Sequence, residues 1–187
     1  EGGRNEKVID LVGALSSFFR TSLGGGKDWV SIREEVEHVR SYLHIQKMRY
    51  EDILDFVIQV DDGILDHRIL KLIIQPLVEN AIYHGIKNRR RKGLIRVQGG
   101  PFSDDALIFT VTDDGAGMGA QKLHEVQLNM ERSTDTLSGN GDGRGFGLMN
   151  VNQRIRLYYG NGYGLNVFSQ EGQGTRVDIR IPRMGRL

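Results

Sequence analysis

The chain has 187 residues, with 25 Lys and Arg against 24 Asp and Glu, so its net charge of +1 points to neither nucleic acid nor an anionic membrane surface. It contains no cysteine, which excludes disulfide scaffolds, Cys-ligated zinc, iron–sulfur clusters and cysteine nucleophiles. Hydrophobic residues at 39% and charged residues at 26% suit a folded soluble domain, no apolar run approaches the about 20 residues of a membrane helix, and residues 1–7 lack the apolar core of a signal peptide.

The chain starts at Glu1 and enters a helical pattern almost at once, as expected of a piece of a longer protein. Val8, Leu11, Leu15 and Phe18 fall three and four apart, which predicts an amphipathic helix over about 5–23. Gly24, Gly25 and Gly26 end it. Ser31 with Glu34 three residues on forms a capping box, and Ile32, Val36, Val39 and Leu43 lay one stripe along a second helix. The pair suggests a helical hairpin or half of a bundle, packed either within a dimer or onto the domain that follows. After Asp52 the period shortens to two: Leu54, Phe56, Ile58 and Val60 lie opposite Asp55 and Gln59, as in a half-buried strand. A long apolar stretch from about 67 to 86 reads as a helix, and 94–98 and 106–112 as two strands joined by a Gly/Pro/Asp turn. A glycine-rich polar segment fills 113–145, a helix 146–158, and a terminal hairpin 164–169 with 175–181. Neighbouring strands paired as hairpins, with helices gathered on one face, make an α+β class: a two-layer sandwich with a mixed, mostly antiparallel sheet. The helical hairpin precedes it, dividing the chain into a helical segment 1–50 and a domain 51–187.

Glycine is the unusual component, 25 of 187 residues, close to double the usual share of about 7%, and it clusters between patterned segments. One cluster, Asp113-Asp114-Gly115-Ala116-Gly117-Met118, follows a strand directly. A carboxylate there with alternating glycines suits a flat ligand that hydrogen-bonds the acid while backbone passes close beside it, although Asp-Gly is also a common turn. A second, Gly141-Asp142-Gly143-Arg144-Gly145-Phe146-Gly147-Leu148, leads into a helix whose free N–H groups and positive dipole end would take phosphate; a plain surface loop is the alternative. It is neither a P-loop, lacking Gly-Lys-Ser/Thr, nor a Rossmann turn, lacking a parallel βαβ unit. The third, Gln75-Pro76-Leu77-Val78-Glu79-Asn80-Ala81-Ile82-Tyr83-His84-Gly85, places polar groups on an apolar helix. Asn80 offers a neutral oxygen of the kind Mg²⁺ accepts, and ordinary helix-end capping is the alternative.

Taken together these clusters resemble the N box and the two glycine boxes of the ATP-binding fold shared by gyrase, Hsp90, histidine kinases and MutL. The chain looks most like the LytS/YehU-like sensor histidine kinases, in whose order stand "QPLVENAIYHGI", "VTDDGAGM", "GRGFGLMNVNQRI" and "GQGTRVDIRIP", preceded by "SIREEVEHVRSYLHIQKMRYEDILDF". The resemblance implies the Bergerat-type ATP-binding fold, with ATP and Mg²⁺ as ligands. It puts Asp113 on the adenine amino group and Asn80 on Mg²⁺. Gly115, Gly117 and Met118 then line the adenine pocket, Gly143, Gly145, Gly147 and Leu148 surround the phosphates, and Thr175 lies near the base. Tyr83, His84 and Lys87 join the ATP-binding set, Glu79 orients a water or the metal shell, and 119–142 forms a mobile lid. Two positions depart from the family: Pro76 stands where many histidine kinases have Asn, and Tyr83 where Lys is common.

The implied activity is that of an ATP-dependent protein histidine kinase. The family's acceptor segment, resembling Pro-His-Phe-Leu-Phe-Asn, does not occur here, so the acceptor is expected outside these residues. His38, His44, His67, His84 and His124 lack its neighbours. The expected partners are a response regulator and, in the full-length protein, a second copy, with no direct nucleic acid contact. Membrane attachment would come through absent upstream segments of a bacterial plasma-membrane protein whose cytoplasmic domain this is. The basic run Lys87, Arg89, Arg90, Arg91 and Lys92 lacks interleaved aromatics and reads as a solvated loop. The rival readings are an inactive nucleotide-binding regulatory module, and a serine kinase or ATPase on the same fold.

Overall fold

The computed structural model describes residues 11–16, 18–19, 28–50, 53–87, 91–131 and 146–186. Residues 11–16 and 18–19 are helical (α1); the rest of the expected first helix and its glycine stop lie outside the described residues. A short strand β1 (Trp29–Ser31) leads into α2 (Ile32–Arg49). Both halves of the capping box form: the Ser31 hydroxyl accepts from the Glu34 N–H at 3.2 Å, and the Glu34 carboxylate accepts from the Ser31 N–H at 2.7 Å. The stripe Ile32, Val36, Val39 and Leu43 is buried as its spacing requires.

The remaining strands are β2 (Leu54–Val60), β3 (Arg68–Leu70), β4 (Gly93–Pro101), β5 (Ala106–Asp113), β6 (Gly164–Gln170) and β7 (Gly174–Pro182). β2, β4, β5, β7 and β6 form one sheet in that order. Within it the β2–β4 pair is parallel and the other three pairs are antiparallel, so the sheet is mixed and mostly antiparallel. Its inner face carries Val97, Val111 and Val177 in one cross-strand row and Phe109 with Ile179 in the next, all buried under the helices. Gly99 opposite Phe109 leaves room for that ring, since a β-carbon there would come within 2.6 Å of it. The two-layer α+β sandwich expected from the pattern is the fold observed.

The helix expected over 67–86 is corrected. Residues 68–70 are β3, which pairs antiparallel with β1, and the helix starts only at Gln75. The reason is a side chain far away in sequence. Glu35 of α2, 1% exposed, accepts the N–H groups of Leu72 at 2.8 Å and of Ile73 and Ile74 at 3.0 Å each. Leu72 bends the chain with φ of 60°, a conformation uncommon for a residue with a β-carbon. Burial pushes the Glu35 carboxyl above its ordinary range, and the three N–H groups and nearby His38 offset part of that. Helix α3 (Gln75–Asn80) then runs with Pro76 in its first turn, where the missing N–H costs nothing, and continues as a π-helical turn, Ala81–Ile86.

Helices α4 (Ala120–Glu131) and α5 (Phe146–Tyr159) complete the layer. The first half of the expected lid is thus helical. The Gln127 amide donates to the Val167 carbonyl at 3.0 Å, and the Asn152 amide of α5 to the Met130 carbonyl at 2.8 Å; residues 132–145 lie outside the described residues. Among the described residues no helix is long and apolar enough to cross a membrane.

Candidate functional site

Asp113 is the last residue of β5 and points to the inner, helix-covered face, in the same cross-strand row as Ile95 and Thr175. It is 4% exposed, and the N–H of Gly115 donates to its carboxylate at 2.8 Å. Two glycines let it sit there. A β-carbon on Gly85 or on Gly115 would overlap the Asp113 carboxylate, and one on Gly115 would also overlap the backbone of Gly85. The π-helical turn, in which the Lys87 N–H reaches the Ile82 carbonyl at 2.9 Å, brings Gly85 to this approach. Such turns inside helices are frequent at functional sites.

The loop after Asp113 is tied on both sides. Ala116 donates its N–H to the Gly85 carbonyl at 3.1 Å and accepts from the Gly172 N–H at 2.7 Å, while the Met118 N–H donates to the Ser169 hydroxyl at 2.8 Å. Gly117 takes φ of +65°, and a β-carbon there would collide with the Gln170 carbonyl. Ser169 also donates to the Gly174 carbonyl and shares a hydrogen bond with the Thr175 hydroxyl, both at 2.9 Å. Thr175 therefore stands across from Asp113 within a hydroxyl pair. Asp114 serves the strand end instead, where its carboxylate accepts the Leu94 N–H at 2.8 Å.

Asn80 and α5 meet on the other side of the N-box helix. The position of a β-carbon on Gly147, in the first turn of α5, lies 3.5 Å from the Asn80 amide nitrogen. The amide oxygen, 4.0 Å from the same position, is beside the start of a helix, whose first N–H groups have no partner within the helix. Leu148, one residue on, packs half-buried against the core. Gly143 and Gly145 lie outside the described residues.

A further face of the N-box helix, Gln75, Glu79 and Tyr83, turns toward α2. The Gln75 amide donates to the Glu79 carboxylate at 2.8 Å, and its oxygen is hydrogen-bonded to the His38 ring nitrogen Nε2. Burial raises the pKa of the Tyr42 hydroxyl, and Glu79 and the hydrogen-bonded Tyr83 add to the rise. Lys87 lies with its ammonium 5.6 Å from the Tyr83 ring centre and 5.9 Å from that of Tyr50. His84 is exposed on the same turn.

The structure thus gathers Asp113, Gly115, Gly117, Met118 and Thr175 with Gly85 at one end of the sheet, and Asn80 with Gly147 at the start of α5. Glu79, Tyr83 and Lys87 stand toward α2 instead. Sequence reasoning missed Gly85 as a packing position, Ser169, and the contacts of Gln75. Gly85 had a signal, a glycine ending the N-box run; Ser169 had none, because only pairing in the sheet puts it beside Thr175. A buried carboxylate walled by glycines fits the exocyclic amine and edge of a flat base, and the helix start beside Asn80 fits phosphate with a hard cation. Among the described residues no group of three or more His, Asp or Glu could hold a metal alone, so a cation here would complete its shell with phosphate and water.

Comparison with known proteins bears on the whole chain. A family model described as histidine kinase-, DNA gyrase B-, and HSP90-like ATPase matches residues 65–185, and one described as histidine kinase matches residues 2–54. The chain is 34% identical over 182 residues to the sensor histidine kinase YesM of Bacillus subtilis, covering 97% of this chain and 29% of YesM. It is 33% identical over 179 residues to the sensor protein LytS of Staphylococcus epidermidis, covering 95% of this chain and 29% of LytS. The chain therefore spans about 29% of the length of these relatives. Of solved structures, the histidine kinase domain of a blue-light activated histidine kinase from Erythrobacter litoralis aligns with TM-score 0.58 at 20% identity, over 95% of this chain and 75% of that one. The mycobacterial sensor histidine kinase MprB aligns with TM-score 0.56 at 20% identity, over 83% of this chain and 98% of that one.

Proposed function

The chain belongs to the histidine kinase-, DNA gyrase B- and HSP90-like ATPases, and from that premise we propose that it binds Mg·ATP between the N-box helix, the end of β5 and the start of α5 and passes the γ-phosphoryl group to a histidine outside these residues. The observation that carries the reading is Asp113, a buried carboxylate held at a strand end in a cradle that only glycines at 85 and 115 leave open. Asp113 accepts the adenine amino group while Gly115, Gly117 and Met118 form the wall beside the base. Thr175, held by Ser169, stands at its edge. Asn80 provides a side-chain oxygen to Mg²⁺, and the N–H groups at the start of α5 face the phosphates. Mg²⁺, when bound, neutralises phosphate charge as it spreads in the transition state.

The transfer forms a bond between an imidazole nitrogen and the γ-phosphorus and breaks the bond to the β-phosphate oxygen; ADP leaves and the imidazole loses its N–H proton. This chain's contribution is positioning and charge complementarity, with Glu79 orienting the water around the metal. The same reading makes 1–50 the remnant of a dimerisation and acceptor region and 51–187 the catalytic domain. A response regulator receives the phosphoryl group, and membrane-bound segments elsewhere in the protein respond to the stimulus.

A thermal-shift titration tests the pocket. Mg·ATP at 100 times its dissociation constant adds about 2.7 kcal/mol of stability to the wild type, and Asp113→Asn removes the shift. An Asp113→Asn variant shifted as much as the wild type sinks the adenine assignment. A second reading, an inactive nucleotide-binding module, draws on Tyr83: it stands where Lys is common and bonds Tyr42. Phosphotransfer to an acceptor helix supplied in trans separates a kinase from such a module.

A further inference from the structure

Gln75 sits between two partners, and their chemistry fixes its orientation. Its Nε2 donates to the Glu79 carboxylate at 2.8 Å, which leaves Oε1 toward His38. An amide oxygen can only accept, so His38 must carry its proton on Nε2. Gln75 and Glu79 are four residues apart on one face of α3, while His38 comes from α2, 37 residues earlier. His38 itself is 2% exposed. Its ring is stacked on Phe18 of α1, with centres 4.7 Å apart and planes 19° from parallel, and Phe18 also lies 6.1 Å from the Tyr42 ring. Glu35, one helical turn before His38 on α2, clamps the three N–H groups just ahead of Gln75, so the start of α3 cannot slide relative to α2.

We propose that His38 is a positioning residue for the site: through Gln75 it sets the rotamer of Glu79, the residue before Asn80 in the chain, and the stack of Phe18 on His38 makes that setting depend on where α1 lies. The proposal rests on the kinase reading for what Glu79 does, but the hydrogen-bond chain itself does not. A free Glu79 has three side-chain torsions to lose before it can orient anything; a carboxylate held by an amide that is itself held has lost them already. Displacement of α1 removes the aromatic plane from His38 and so loosens the hold of His38 on Gln75 and, through it, on Glu79. The consequence is a site that binds nucleotide in either state and transfers well only with α1 docked.

Two substitutions at His38 separate the donor from the packing. His38→Phe keeps an aromatic ring against Phe18 but has no N–H, whereas His38→Gln loses the ring and keeps an amide N–H able to reach Gln75. In the 187-residue chain, with a histidine-bearing acceptor helix in trans, His38→Phe should slow phosphotransfer about tenfold while changing the dissociation constant for Mg·ADP by less than about twofold. His38→Gln should recover the rate to within about threefold of wild type despite the poorer packing. Equal losses in the two variants, or losses that follow their melting temperatures, would overturn the relay. A wild type that transfers nothing refutes the kinase reading instead, and the relay is then decided by ¹⁵N spectra of the His38 ring. The expected spectrum is the Nε2-protonated tautomer, lost in Gln75→Leu; a tautomer unchanged by Gln75→Leu overturns the proposal.

Discussion

Asp113 and Gly115 illustrate how tightly single residues are held at this site. The Gly115 N–H is bonded to the Asp113 carboxylate, and its missing β-carbon is what lets the backbone of Gly85 pass. Gly115→Ala therefore forces backbone against backbone, and urea unfolding should show a loss of about 1–3 kcal/mol with weakened nucleotide binding. Gly100→Ala is the contrasting change. Nothing lies within 4 Å of a β-carbon at that strand position, so its effect should stay within about 0.5 kcal/mol. Equal costs at the two positions would show that the cradle around Asp113 is looser than its contacts indicate.

At the scale of elements, the N-box helix is set by what precedes it. Apolar periodicity runs on from residue 67, yet Ile73 and Ile74 give their N–H groups to Glu35 and the helix opens only at Gln75. Glu35→Gln keeps the shape but replaces one acceptor oxygen with a donor that faces an N–H. A buried donor left unmet costs about 1–3 kcal/mol, and because the clamp fixes α3 to α2 the loss should appear as global destabilisation in urea. An unchanged midpoint would mean that the turn at Leu72 is held by the strands β1 and β3 instead. The capping box on α2 is the opposite case. Ser31 and Glu34 act within one turn, so the start of that helix was readable without its surroundings.

Across the whole molecule, α2 is joined to the sheet by packing and by charge. Lys47 of α2 lies 2.8 Å from Asp55 on β2, and Lys92, just before β4, 3.4 Å from the same carboxylate. Lys47, with help from the Phe56 N–H and Lys92, lowers the Asp55 pKa to about 2. A lowered folded-state value means stability that is present above the ordinary carboxylate range, near pH 4, and lost as pH falls toward about 2. Asp55 is 40% exposed, so after screening the contribution amounts to less than about 1 kcal/mol. Asp55→Asn should flatten the acid limb of the stability curve in that window by this small amount, and added salt should shrink the difference. A variant with the same acid limb as the wild type would assign acid sensitivity to other carboxylates.

The α+β class, the strands β2, β4, β5, β6 and β7 to within a few residues, the capped start of α2 and the family were all legible in the order of the residues. Each of these rests on short-range pattern: alternation of apolar residues, a capping residue three positions from its partner, and glycine clusters in a recognisable order. The rest emerged only on folding, because the contacts that govern it join residues far apart in the chain. Glu35 overrides a helical period 37 to 39 residues later. Ser169 reaches Met118 only because β6 and β7 bring it to the end of β5. Gly85 becomes a wall of the Asp113 cradle only through a π-helical turn, which spacing rules at 3.6 residues do not anticipate. His38, on a helix whose pattern signals only packing, gains its part from Gln75 on one side and Phe18 on the other. Local pattern records which backbone a segment prefers, whereas the partner of a buried polar group is fixed only when the chain has closed around it.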